Sequence, residues 1–219
     1  MTEQTYNQAL LQLVQAGLAA LEQRAANGNA INTATAESHF LCSWMVQALK
    51  ERRFAKLIAN DLTQWISDAR SMGAGAQLPS LFNRINDQYS AAQACVHLGD
   101  ALQALLTHLE QNDWLIILDA NVDTKLKLAS DGRHSLIISA DQYQTRIKEQ
   151  NIVKPITLYV RANEQLLAQT AATFGLLISQ GDKKSSLIKH HKAYRIFPNN
   201  EQPALAILTK AYKHYISSK

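Results

Sequence analysis

The sequence predicts an α+β fold: an N-terminal all-helical bundle followed by a C-terminal mixed β-sheet with two or three helices. Three observations lead there. Apolar residues recur at helical spacing up to about residue 111. Beyond it, short apolar runs and alternating segments take over. The charge changes at the same place. Residues 1–111 hold 7 Lys+Arg and 9 Asp+Glu, a net −2, whereas residues 112–219 hold 15 and 9, a net +6.

The first helix is expected from Tyr6 to about Ala26, with Leu10, Val14, Leu18 and Leu21 on one stripe and Asn27-Gly28 as its stop. A second follows a Thr33 or Thr35 cap and places Phe40, Trp44 and Leu49 among its apolar positions. The third carries Phe54, Leu57, Ile58, Leu62, Trp65, Ile66 and Ala69 on one stripe and ends near Gly73. Pro79 suits the first turn of a fourth, because a helix leaves its first N–H groups unpaired anyway. The fifth spans residues 98–110 through Leu102, Leu105, Leu106 and Leu109.

From Asn112 the reading changes. The segments WLIIL, TKLKLA, SLIIS, PITLYVR, LLIS and AYRIF are expected as strands. In PITLYVR, Ile156, Leu158 and Val160 share one face, and Thr157, Tyr159 and Arg161 the other. Asn163 caps a helix carrying Leu167, Ala171 and Phe174, which Gly175 ends. Pro203 opens a last helix with Leu205, Leu208, Tyr212 and Tyr215 as its stripe. The two halves, 1–111 and 112–219, are expected as a helical domain and a basic α/β domain. No flexible linker separates them, so one cooperative unit is the alternative.

Composition limits the function classes. A hydrophobic content of 47% against 18% charged suits a chain with a real core rather than a disordered one. The N-terminal MTEQTYNQALL has no basic region before an apolar stretch, so no secretory signal is expected. The longest strongly apolar run, residues 114–118, falls far short of the roughly 20 residues a bilayer crossing needs. Cys42 and Cys95 form no CxxC pair and have no ligand neighbours, so both are expected reduced and structural. Together these point to a cytoplasmic protein with no membrane association. No cofactor or metal is expected.

The strongest functional signal is DKKSSLIKHHKAYR, residues 182–195, with five Lys+Arg against one Asp. Lys183, Lys184, Lys189, His190, Lys192 and Arg195 are the candidate residues for an anionic partner, nucleic acid or another acidic molecule. Basic groups neutralise phosphates, and the nearby Tyr194 and Phe197 offer rings on which a base could stack. A charged strand edge that discourages sheet-to-sheet association is the plainer reading. His190-His191 is a poor chelating pair, since neighbours on a strand point to opposite faces.

Asp119, Asp123 and Lys125 form the alternative site. Asp119, or alternatively Asp113, followed by acid-x-Lys at Asp123 and Lys125 on a strand resembles the metal-dependent nuclease arrangement, in which a lysine steadies the attacking water. Lys127 shares their face, however, as on any half-exposed strand. The run Asp119-Ala-Asn121-Val-Asp123 fails as a calcium loop, because Thr124 and Ser130 stand where Gly and Glu are required. Gly181-Asp182 fails as a phosphate loop, because Asp182 occupies the lysine position. No catalytic residue is assigned.

Three stretches, ESHFLCSWMVQALKERRF, NDWLIILDANVDTKLKL and KPITLYVRANEQ, together resemble an uncharacterised bacterial family, the domain of unknown function 2913. The resemblance covers nearly the whole chain in the same helices-then-strands order. It implies a bacterial cytoplasmic protein and carries over no site residue. Three functions remain open at this point: a non-enzymatic binding or regulatory protein with a basic C-terminal half, a metal-dependent hydrolase, and a protein–protein adaptor acting through the helical half.

Overall fold

The computed structural model describes residues 4–27, 33–125, 132–181 and 187–210. It divides into two compact units, Met1–Ser90 and Ala91–Lys219.

The first unit is helical. Helix α1 (Tyr6–Ala26) starts at a reciprocal cap: Thr5 Oγ1 accepts from the Gln8 amide, and the Gln8 side chain accepts from the Thr5 amide. Helix α2 (Ala34–Lys50) uses Thr33 as its cap. Its buried stripe is Ser38, Leu41, Met45 and Ala48. Phe40 and Trp44, expected inward, are half-buried, and Leu49 is exposed. The two larger rings are held at this boundary by partners: the Arg24 guanidinium lies 4.9 Å above Phe40, and Trp44 packs on Phe54. Helix α3 (Ala59–Met72) buries Leu62, Trp65, Ile66 and Ala69, as their spacing required, and stops where Gly73 takes φ 55°, but the expected stripe began too early, since Phe54 precedes the helix and Leu57 is exposed. A short 3-10 turn, Gly73–Ala76, follows. The Tyr6 hydroxyl donates to Asp61 Oδ2 at 2.9 Å, joining α1 to α3. Burial, with Asp61 beside it, pushes the Tyr6 phenol well above its usual range. Helix α4 (Leu78–Ala94) runs across the division between units.

Helix α5 (Leu98–Gln111) is the last before the strands, so the change of secondary structure comes at residue 111 as the periodicity indicated. Its packing partners lie after it. Leu98, Leu102, Leu105, Leu106 and Leu109 share a core with Leu136, Ile156, Leu158, Val160, Tyr194 and Ile196 of the sheet.

The second unit contains a five-stranded mixed sheet. Its strands are β1 (Leu115–Ile117), β2 (Ser135–Ile137), β5 (Ile156–Arg161), β6 (Ser179–Gln180) and β7 (Lys192–Ile196). They lie in the order β1-β2-β5-β7-β6, and only β1 and β2 run parallel. Helices α6 (Ala140–Arg146) and α7 (Glu164–Thr173) complete the unit, with Asn163 capping α7. One sheet face packs against α5 and α7. The other carries a smaller cluster, Ile137, Tyr159 and Ala193, covered by Val122 and Ile188.

A hairpin, β3 (Ile147–Lys148) and β4 (Asn151–Ile152), had no signature in the sequence. Its turn residues Glu149 and Gln150 both have positive φ, which non-glycine residues seldom adopt. The turn is held by α5. No side chain caps that helix, and the Gly99 amide donates to the Gln150 carbonyl at 2.7 Å instead. Only glycine allows this approach, since a Cβ at Gly99 would stand 2.7 Å from that oxygen.

Two expectations are corrected. The helix after Pro203 is absent from residues 203–210, which carry no helical turn. Tertiary bonds draw that backbone out instead: the Ile207 amide donates to the Ile178 carbonyl at 2.8 Å, and the Gln165 side chain binds both the Leu208 carbonyl and the Lys210 amide. Tyr212 and Tyr215 lie outside the described residues. The LLIS strand shrinks to β6 for the same reason, because the Ile178 carbonyl is taken by Ile207. Of TKLKLA, residues 124–125 are in no strand, and the rest lie outside the described residues. No helix among the described residues is long and apolar enough to cross a membrane.

Candidate functional site

Strand β7 brings the basic segment onto the sheet and divides it. Lys192 lies opposite Val160 and Tyr194 opposite Leu158, so both belong to the face that α5 and α7 cover. Arg195 lies opposite Thr157, and Arg161 opposite Ser135, so these two arginines share the second face with Tyr159. Lys189 and His190 are exposed in the turn that leads into β7, where His190 has φ 66°. That turn covers the second face through Ile188. Lys183 and Lys184 lie outside the described residues.

Arg161, Lys189, His190 and Arg195 therefore surround one small apolar cluster, with Lys192 on the opposite face. Arg146 joins them: its charge, like that of Arg195, acts on the Tyr159 phenol. Burial outweighs both cations and raises that phenol. Lys189, Lys192 and Arg195 have no carboxylate within ion-pair reach among the described residues. Arg161 and Arg146 were not among the candidate residues: Arg161 shares a face with Arg195 only through the long-range β5–β7 pairing, and Arg146 comes from helix α6. The alternation of PITLYVR had already set Arg161 beside Tyr159.

Of the two aromatic neighbours, Tyr194 offers no face for stacking. Tyr194 is buried in the main core, and its hydroxyl donates to Glu164 Oε2 at 3.2 Å. Burial and the Glu164 carboxylate push it up to about 12. Phe197 is half-buried.

The two histidines part company. His190 points to solvent, and His191 is 5% exposed. His191 Nδ1 lies 3.0 Å from the Lys189 carbonyl, which can only accept, so Nδ1 carries the proton. Nε2 is then an acceptor, 2.9 Å from Ser135 Oγ. Burial lowers the proton affinity of the ring, Arg161 and His190 lower it further, and the Lys189 carbonyl opposes them. A serine donating to a neutral imidazole held by a carbonyl is the geometry of a nucleophile and its base. Here Ser135 is 0% exposed, so the pair is closed to substrate and fastens the turn to β2. Sequence reasoning found no partner for either histidine, because Ser135 lies 56 positions earlier.

Asp119, Asp123 and Lys125 are exposed on the loop after β1, outside any helix or strand. Between the two acids Val122 is buried, and its amide donates to Ser139 Oγ at 3.4 Å. Asp119 lines a cavity of about 460 Å³ with Glu110, Tyr143 and Gln144, and Asp123 does not reach it. Among the described residues no three His, Cys, Asp or Glu side chains group as ligands for a metal ion.

Residues 5–209 match a family described as a protein of unknown function (DUF2913). No curated protein and no solved structure matches the chain.

Proposed function

The chain belongs to the DUF2913 family, and we propose that this member is a non-enzymatic binding protein whose C-terminal unit meets nucleic acid. The observation that carries the reading is the set of cations on the second sheet face. Arg161 and Arg195 flank Tyr159 on paired strands, and Lys189 and His190 rise from the turn above. Guanidinium groups suit phosphate because they offer several donors in one plane and keep their charge at every working pH. With Tyr194 buried, recognition runs through the backbone phosphates rather than through base stacking, so little sequence preference is expected.

The test is fluorescence anisotropy with labelled single-stranded RNA and duplex DNA over a range of salt. Binding that weakens linearly on a logarithmic salt scale is expected. The Arg161→Gln/Arg195→Gln double variant should bind more weakly, with a salt slope lower by about two, roughly one for each phosphate no longer neutralised. Absence of salt-sensitive binding to either polymer removes the reading.

A further inference from the structure

A groove in the N-terminal unit runs between α2 and the corner where α3 meets the 3-10 turn. Its volume is about 490 Å³, within the range of small-molecule sites. One wall is a single stripe of α2, with Ser38, His39, Cys42 and Val46 at helical spacing. The facing wall is small: Ala69, Gly73 and Ala74 leave the space, and a Cβ added at Gly73 would meet nothing within 4 Å. Arg70 stands at the rim.

Two polar groups in this groove lack partners among the described residues. Ser38 is 2% exposed, and its hydroxyl has no hydrogen-bond partner among the described residues. Buried hydroxyls are nearly always paired, so an orphan lining a cavity points to a ligand atom. Arg70 is exposed and has no carboxylate within ion-pair reach among the described residues. Arg70 also lines an adjoining hollow with Lys50, which adds a second positive charge nearby. Most of the remaining surface is apolar, from Val46, Ala69, Ala74 and the Cys42 side chain, with Thr35, His39 and Ser43 adding polar groups.

We propose that this groove binds a small organic acid, a carboxylate on a compact apolar body. The Ser38 hydroxyl donates to the carboxylate, the flexible Arg70 supplies the counter-charge, and the apolar walls take the rest. This site is independent of the nucleic-acid reading, since all of its residues lie in the first unit.

Cys42 is a built-in reporter, and Cys95, in the other unit, is its control. The experiment follows iodoacetamide labelling of each cysteine in the full chain by peptide mass spectrometry. The probes are sodium hexanoate, hexanol and inorganic phosphate. Hexanoate is expected to slow Cys42 labelling saturably and leave Cys95 unchanged. Ser38→Ala and Arg70→Gln should each require roughly tenfold more hexanoate, the effect of removing one hydrogen bond to a charged group. Circular dichroism checks that both variants fold. Equal protection by hexanol would overturn recognition of the acid, and equal protection by phosphate would overturn the apolar part. No protection by hexanoate, or full protection retained in both variants, would overturn the site.

Discussion

In the C-terminal unit the buried polar atoms of Asn200, Ser135 and Ser179 are paired, whereas in the N-terminal unit the buried Ser38 hydroxyl has no partner among the described residues. Asn200 shows the first pattern most fully. It is 1% exposed and sits at φ 54°, which asparagine tolerates better than most residues. Its Oδ1 accepts from the Leu177 amide at 3.0 Å, and its Nδ2 donates to the carbonyls of Ala92 and Gly175 at 3.1 and 2.8 Å. Ser135 with His191, and the Ser179 hydroxyl with Gln202, form two further pairs. The difference separates two uses of a polar atom. Where partners are complete the atom specifies the fold, and where one is lacking beside a cavity it is available to a ligand.

The largest expected effect comes from Asn200→Ala, which strands one amide and two carbonyls in the interior. A loss of about 3 kcal/mol or more is expected from the second unit, read as reduced hydrogen-exchange protection in β6 and β7. A loss under about 1 kcal/mol would mean that water replaces the amide, and the pattern would not hold. The two buried serines sharpen the comparison. Ser135→Ala removes the donor to His191 Nε2 and should cost about 1–2 kcal/mol. Ser38→Ala removes a hydroxyl with nothing to lose and should stay within about 0.5 kcal/mol of the parent. Chemical denaturation followed separately for each unit by exchange distinguishes them, and equal losses would erase the contrast.

A smaller effect should appear with pH. The folded state lowers the proton affinity of His191 below the ordinary 6.5, so below that pH the unfolded chain binds more protons. The stabilisation from a neutral His191 is complete above 6.5 and declines as the pH falls below it, until the folded ring protonates too. His191→Gln should flatten that part of the stability curve of the second unit. An unchanged acid limb would show that His191 protonates as readily folded as unfolded.

The helices were legible because their signals are local. Leu62, Trp65, Ile66 and Ala69 fall at helical spacing, and Thr33 marks the start of α2 as its cap. Strands β1, β2, β5 and β7 were legible as segments from apolar runs and alternation, but their order depends on pairings across many residues. The hairpin was hidden because its turn is Glu149-Gln150, without the Asn-Gly that marks such turns, and is imposed by Gly99 from α5. The helix after Pro203 was misread because its apolar spacing suits a helix, while Gln165 and Ile178 hold residues 207–210 by backbone bonds that no local pattern reveals. At the candidate site, the cations at 189–195 were visible as a run. Their division between two faces, and the arrival of Arg161, required the β5–β7 register. The groove left no sequence signal, since Ser38 stands in a helix where serine is unremarkable.

One measurement tests most directly the claim that the second sheet face receives the partner. It is a hydrogen-exchange footprint of the full chain with and without single-stranded RNA at low salt. Protection confined to residues 157–161 and 187–197, and abolished when salt is raised, is expected. Protection centred on α1, α2 or α3, or no change anywhere, would contradict it.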